Sequence, residues 1–132
     1  MKESQLASID LFSSLSKRER ADIANRAEEI DVAEGTHLVR EGEFAYEFFV
    51  IEDGSAEVLR DGEHVADLGP GDFLGEMGIV TQSPRNASVV AREPTRVMVL
   101  TEQDFRGVAR SFPTVAERIR EAVRERCEPL VS

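Results

Sequence analysis

The sequence is poor in the residues that staple or metallate a fold. A single cysteine, Cys127, excludes an internal disulfide, and it gives no reason to expect an oxidising compartment. The two histidines, His37 and His64, stand in no metal-ligand spacing with acidic residues or with Cys127. A metal-holding barrel needs several converging ligands, so no metal or other cofactor is expected. No run of about 18 apolar residues occurs, and no membrane span is expected. Cations are scarce, with 16 Lys and Arg against 26 Asp and Glu, and the net charge is −10. Such a surface repels nucleic-acid backbones and anionic lipid, so neither is an expected partner. Any anionic ligand must be gripped by a local set of donors. No nucleophile, base and orienting group can be assembled, so no enzyme is expected. The start Met1-Lys2-Glu3-Ser4-Gln5 leads into no apolar signal core, which makes the cytoplasm the expected compartment.

What is present suffices for one globular domain over residues 1–132. Hydrophobic residues make up 41% and charged residues 32%, a composition that builds a core without staples. The ends read as helix. Ser16-Lys17-Arg18-Glu19 has capping-box spacing, and Ala21, Ile23, Ala24, Ala27 and Ile30 follow on one side. Leu6, Ile9, Leu11 and Phe12 suggest a further helical turn before it, which makes residues 1–30 an N-terminal helical segment. Between 31 and 100 short apolar or alternating runs are separated by turn residues, the rhythm of an antiparallel sandwich or barrel. Strands are predicted over 36–40, 48–52, 56–60, 64–68, 88–92 and 96–100, with Asp53-Gly54 and Asp61-Gly62 as hairpin turns. Two helices are predicted within 101–132. The first starts at Thr101 and Asp104; the second starts near Pro113, carries Val115, Ile119, Ala122, Val123 and Cys127 at helical spacing, and ends by Pro129.

One stretch carries chemistry. In Leu74-Gly75-Glu76-Met77-Gly78-Ile79 two glycines flank an acid, and Arg85 follows nine positions after Glu76, just before a strand. Backbone amides at the start of a short helix attract an anion, and arginine adds a fork matching two phosphate oxygens. A glutamate in the same loop needs its own donor, which a ribose hydroxyl supplies. Taken alone, this spacing reaches no further than an anion site.

The stretch resembles the phosphate-binding cassette of the cyclic nucleotide-binding domain family, with Gly75, Glu76, Gly78 and Ile79 followed by Arg85, Ala87 and Val89. A second family signature matches upstream, in Leu38-Val39, Gly42-Glu43, Ala45, Phe48-Phe49-Val50-Ile51 and Gly54. The resemblance runs from about Leu11 to Val108. It implies a mainly β fold with flanking helices: an antiparallel β-roll with jelly-roll topology over 31–100, a cassette over 73–89, one N-terminal helical segment and two C-terminal helices. It also implies that Glu76 accepts the ribose 2′-hydroxyl and Arg85 binds the cyclic phosphate. Amides of Met77, Gly78 and Asn86 complete the anion hole, Gly75 permits close approach, and Ala87 belongs to the motif. Asn86 departs from the Ala, Ser, Thr or Gln usual in the family, where Ala goes with cAMP and Thr with cGMP. The expected ligand is cAMP, with cGMP as the other choice. Ile119 or Val123 of the last helix is expected to cover the base. The expected role is a regulatory sensor that signals to a protein effector or fused output domain by moving the C-terminal helices. The alternative is a ligand-free interaction module that keeps the fold.

Overall fold

The computed structural model of the chain describes residues 2–44, 47–75 and 85–125, with side chains described as far as Glu121. Helix α1 (Glu3–Ala7) and a 3-10 turn (Asp10–Phe12) precede helix α2 (Lys17–Arg26). The expected capping box forms: Ser16 Oγ accepts from the Glu19 amide at 3.1 Å, and Glu19 Oε1 accepts from the Ser16 amide at 2.9 Å. Two of the orphan donors of the first turn are thereby satisfied. Helix α2 ends at Arg26, and strand β1 (Glu28–Val32) follows. Ile30, which helical spacing places on the face of α2, therefore sits mid-strand and is 38% exposed. Strand β1 lies at a sheet edge, and its first four residues are exposed. An edge strand of acids around one isoleucine carries no alternating apolar signal.

The other strands are β2 (His37–Val39), β3 (Glu47–Asp53), β4 (Ala56–Arg60), β5 (Glu63–Leu68), β6 (Phe73–Leu74), β7 (Ser88–Ala91) and β8 (Thr95–Thr101). The six predicted strands are all present with ends shifted by at most one residue, and β1 and β6 are additions. Among the described residues two four-stranded antiparallel sheets form, in the orders β1-β8-β3-β6 and β2-β7-β4-β5. Asp61 (φ 54°) and Gly62 (φ 79°) make the hairpin turn between β4 and β5.

The first sheet separates two cores. Along β3, Phe49 and Ile51 face the second sheet and pack with Val58, Leu74, Ala87 and Val89. Phe48 and Val50 face the opposite way, onto the helices. Strand β8 alternates in the same manner, with Val97 and Val99 inside the roll and Met98 and Leu100 against the helices. Burial on both faces explains why Phe48-Phe49-Val50-Ile51 reads as an unbroken apolar run.

Helix α3 (Glu102–Ser111) starts where expected, with Thr101 Oγ1 accepting from the Asp104 amide at 3.2 Å. Helix α4 (Pro113–Glu125) starts at the predicted proline. Phe105, Val108, Val115 and Ile119 close the helical core over Phe12, Phe48 and Leu100. Cys127 and Pro129 lie outside the described residues. No described helix is long and apolar enough to cross a membrane.

Candidate ligand site

Arg85 sits at the entry to β7 and is only 4% exposed. Burying a guanidinium is costly unless its donors are engaged, and here Nη2 donates to the Glu47 carbonyl at 2.6 Å. The Arg85 backbone is pinned as well. Its amide donates to the Glu43 carbonyl at 2.7 Å, and its carbonyl accepts from the Gly42 amide at 2.9 Å. Gly42 has φ +88°, a conformation that favours glycine. The upstream signature at Gly42-Glu43 thus forms the ledge that holds the cassette arginine, which explains physically why the two motifs occur together.

Gly75 follows β6 with φ +97°, and a Cβ there would meet Arg85 Nη1 at 2.5 Å and the Glu47 carbonyl at 2.8 Å. A side chain at 75 would both strain the backbone and displace the guanidinium. Gly75, Glu47 and Arg85 therefore form one packed unit. Arg85 lines a cavity of about 100 Å³ with Leu38, Glu43, Phe44 and Phe49 among its walls. The cavity is anionic at its acids, cationic at Arg85 and apolar at Leu38 and Phe49. Glu76, Met77 and Gly78 lie outside the described residues.

The remaining predicted residues fall in distinct places. Asn86 is exposed, and its carbonyl accepts from Arg60 Nε at 3.2 Å. Ala87 is fully buried in the inner core, where it packs rather than lines the cavity. Ile119 is buried in the helical core on the other side of the first sheet and does not reach the cavity beside Arg85. The Val123 side chain lies outside the described residues. Two contributors escape sequence reading. The Glu47 carbonyl is a backbone acceptor with no residue-type signal. Arg60 reaches Asn86 from a strand 26 residues away.

His64 also gains neighbours that sequence spacing did not show. Its Nδ1 lies 2.9 Å from Glu57 Oε2 and its Nε2 lies 3.8 Å from Asp67 Oδ2. The three side chains could each offer one atom to a metal ion, within 4.8 Å of one another. Glu57 is already engaged by the imidazole and by the Arg92 guanidinium, so the group reads as a polar cluster on the outer face of β4 and β5.

Comparison with known proteins gives three findings. Residues 29–112 match the family model of the cyclic nucleotide-binding domain. The cAMP-dependent protein kinase regulatory subunit of Schizosaccharomyces pombe is 36% identical over 104 residues, covering 78% of this chain and 25% of that protein. The chain thus spans about a quarter of the length of that relative. Among solved structures, the regulatory domain of Toxoplasma gondii PKA, co-crystallised with cAMP, superposes with a TM-score of 0.80 at 25% identity, covering 94% of this chain and 49% of that one. The catabolite activator protein of Thermus thermophilus gives 0.80 at 25% identity, over 89% and 57%.

Proposed function

This chain belongs to the cyclic nucleotide-binding domain family, and we propose that it is a regulatory sensor that binds cAMP in preference to cGMP, beside Arg85. The observation that carries this reading is the buried Arg85 guanidinium, oriented by the Glu47 carbonyl on the wall of a cavity. In a protein of net charge −10, a cation held in this way supplies the local grip that a phosphodiester needs. Amides of Met77, Gly78 and Asn86 complete the anion hole, and Glu76 takes the ribose 2′-hydroxyl. The preference for cAMP is supported by the relatives, a cAMP-dependent protein kinase regulatory subunit and a regulatory domain co-crystallised with cAMP, whereas Asn86 matches neither the alanine associated with cAMP nor the threonine associated with cGMP. A carboxylate assigned to one hydroxyl has a sharp test. Glu76→Ala should weaken cAMP binding by at most roughly 10- to 150-fold, from one charge-assisted bond of about 1.5–3 kcal/mol. It should also erase the difference between cAMP and 2′-deoxy-cAMP, measured by competition. A mutant that still prefers the ribose form would remove Glu76 from this role.

The output is a displacement of α4, received by a protein effector or a fused output domain. Ile119 now packs beside Phe12 and Val115 in the helical core, so it or Val123 can roof the base only after α4 moves. Spectroscopic labels at exposed Glu121 and Glu63 should report a changed separation when cAMP saturates the domain. An unchanged separation would leave binding intact and remove this route of signalling. The domain is proposed to act by binding, without catalysis or cofactor.

A further inference from the structure

A cleft of about 440 Å³ lies away from Arg85, between the N-terminal segment and the first sheet. Its roof includes Gln5 and Asp10, and its floor includes Glu52, Asp53 and Arg96. The register explains the crowding of charge on this floor. Glu29 pairs with Met98 and Asp31 with Arg96 across β1 and β8, and Met98 points to the helices. Glu29, Asp31 and Arg96 therefore share that face, where Glu52 joins them from β3.

The charges do not balance. Arg96 is the one cation lining the cleft among the described residues, and its Nε is taken by Asp31 Oδ1 at 2.9 Å. Glu29 and Glu52, on the strands either side of β8, are left close enough to interact directly. Gln5 Nε2, on α1, donates to Glu29 Oε2 at 2.8 Å. Among the described residues, Glu52 Oε2 is buried with no hydrogen-bond partner. An unpartnered carboxylate oxygen beside a second carboxylate is costly as an anion. The other charges near the cleft give no relief. Glu3 of α1 pairs with Arg20 of α2, Asp10 faces Arg118 of α4, and Asp53 adds a further acid.

We propose that Glu29 and Glu52 form a proton-operated clasp that fastens α1 to the β-roll through Gln5. With the proton in place, one carboxyl donates to the other, and Glu29 keeps its second oxygen for Gln5. Without it, two carboxylates repel under the helix, and α1 loosens. Burial, followed by the Glu29 hydrogen bond and charge, raises the Glu52 pKa from 4.5 to about 7. The sign follows from linkage: a raised folded-state value stabilises fully below the unfolded value and is lost as pH rises through about 7. The clasp thus opens across the neutral range. The 3-10 turn that continues from α1 also carries the contact to α4, with the Asp10 carbonyl accepting from Arg118 Nη1 at 2.5 Å.

The test is nuclear magnetic resonance of the full chain between pH 5.5 and 8.5. The Glu52 carboxyl carbon, the Gln5 side-chain amide and the backbone amides of α1 are followed together. In the wild type all three should titrate with one midpoint near 7. In Glu52→Gln, which cannot ionise, the Gln5 and α1 signals should stay flat through this window. Glu29→Gln should also abolish the shared midpoint, which keeps the test available if the first variant folds poorly. A Glu52 midpoint at the ordinary carboxylate value would overturn the clasp. So would α1 signals that hold still while Glu52 titrates, or that titrate unchanged in Glu52→Gln.

Discussion

Replacing Arg85 with alanine is expected to weaken cyclic nucleotide binding by roughly 30-fold to several thousand-fold. The estimate follows from what is left behind. A phosphodiester charge would remain in a partly dry cavity of an acidic protein, without the fork that matches it. Losing one partner of a desolvated charge pair costs on the order of 2–5 kcal/mol, and about 1.4 kcal/mol is a factor of ten. Arg85→Lys should recover only part of this, because an ammonium is a point donor and cannot hold both the Glu47 carbonyl and two phosphate oxygens. The fold should tolerate either change better than the ligand does. The backbone bonds from Arg85 to Gly42 and Glu43 do not use its side chain. Calorimetric titration checks the affinity, and a circular dichroism melt checks that the folded state persists. Wild-type affinity in Arg85→Ala would separate the cassette from ligand binding.

The largest loss of stability is expected at Phe48, on the helical side of β3. Its side chain is 1% exposed, and its ring centroid lies 4.6 Å from Phe105 and 5.8 Å from Phe73. Phe48→Ala removes the ring that joins α3 to the sheet, and it should cost about 3–5 kcal/mol. Small domains are stable by about 5–15 kcal/mol, so the variant should unfold at markedly lower urea. Phe48→Leu keeps most of the volume and should cost less. A midpoint for Phe48→Ala within experimental error of the wild type would contradict the two-core arrangement.

The elements with strong local signals were readable. The capping box at Ser16, the proline at 113 and the apolar run 48–51 each became the element they implied. Strand β1 was hidden because its residues meet solvent, and its one apolar residue also fits the helical spacing of α2. Strand β6 has only two residues, too short for any period. In the site, Gly75 and Arg85 announced themselves through a motif, and the structure brings them into contact. The Glu47 carbonyl did not, since every residue has one and only the fold selects which is used. The Glu29–Glu52 pair was equally invisible. Both sit among many surface acids, on strands far apart in sequence that only the fold sets either side of β8.

The most direct test of the central claim is a calorimetric titration of the wild-type chain with cAMP, repeated with cGMP. The account predicts saturable binding at one site per chain, tighter for cAMP. Heats indistinguishable from dilution for both nucleotides, from a folded sample at millimolar ligand, would contradict it and leave a cyclic nucleotide-binding fold that binds no cyclic nucleotide.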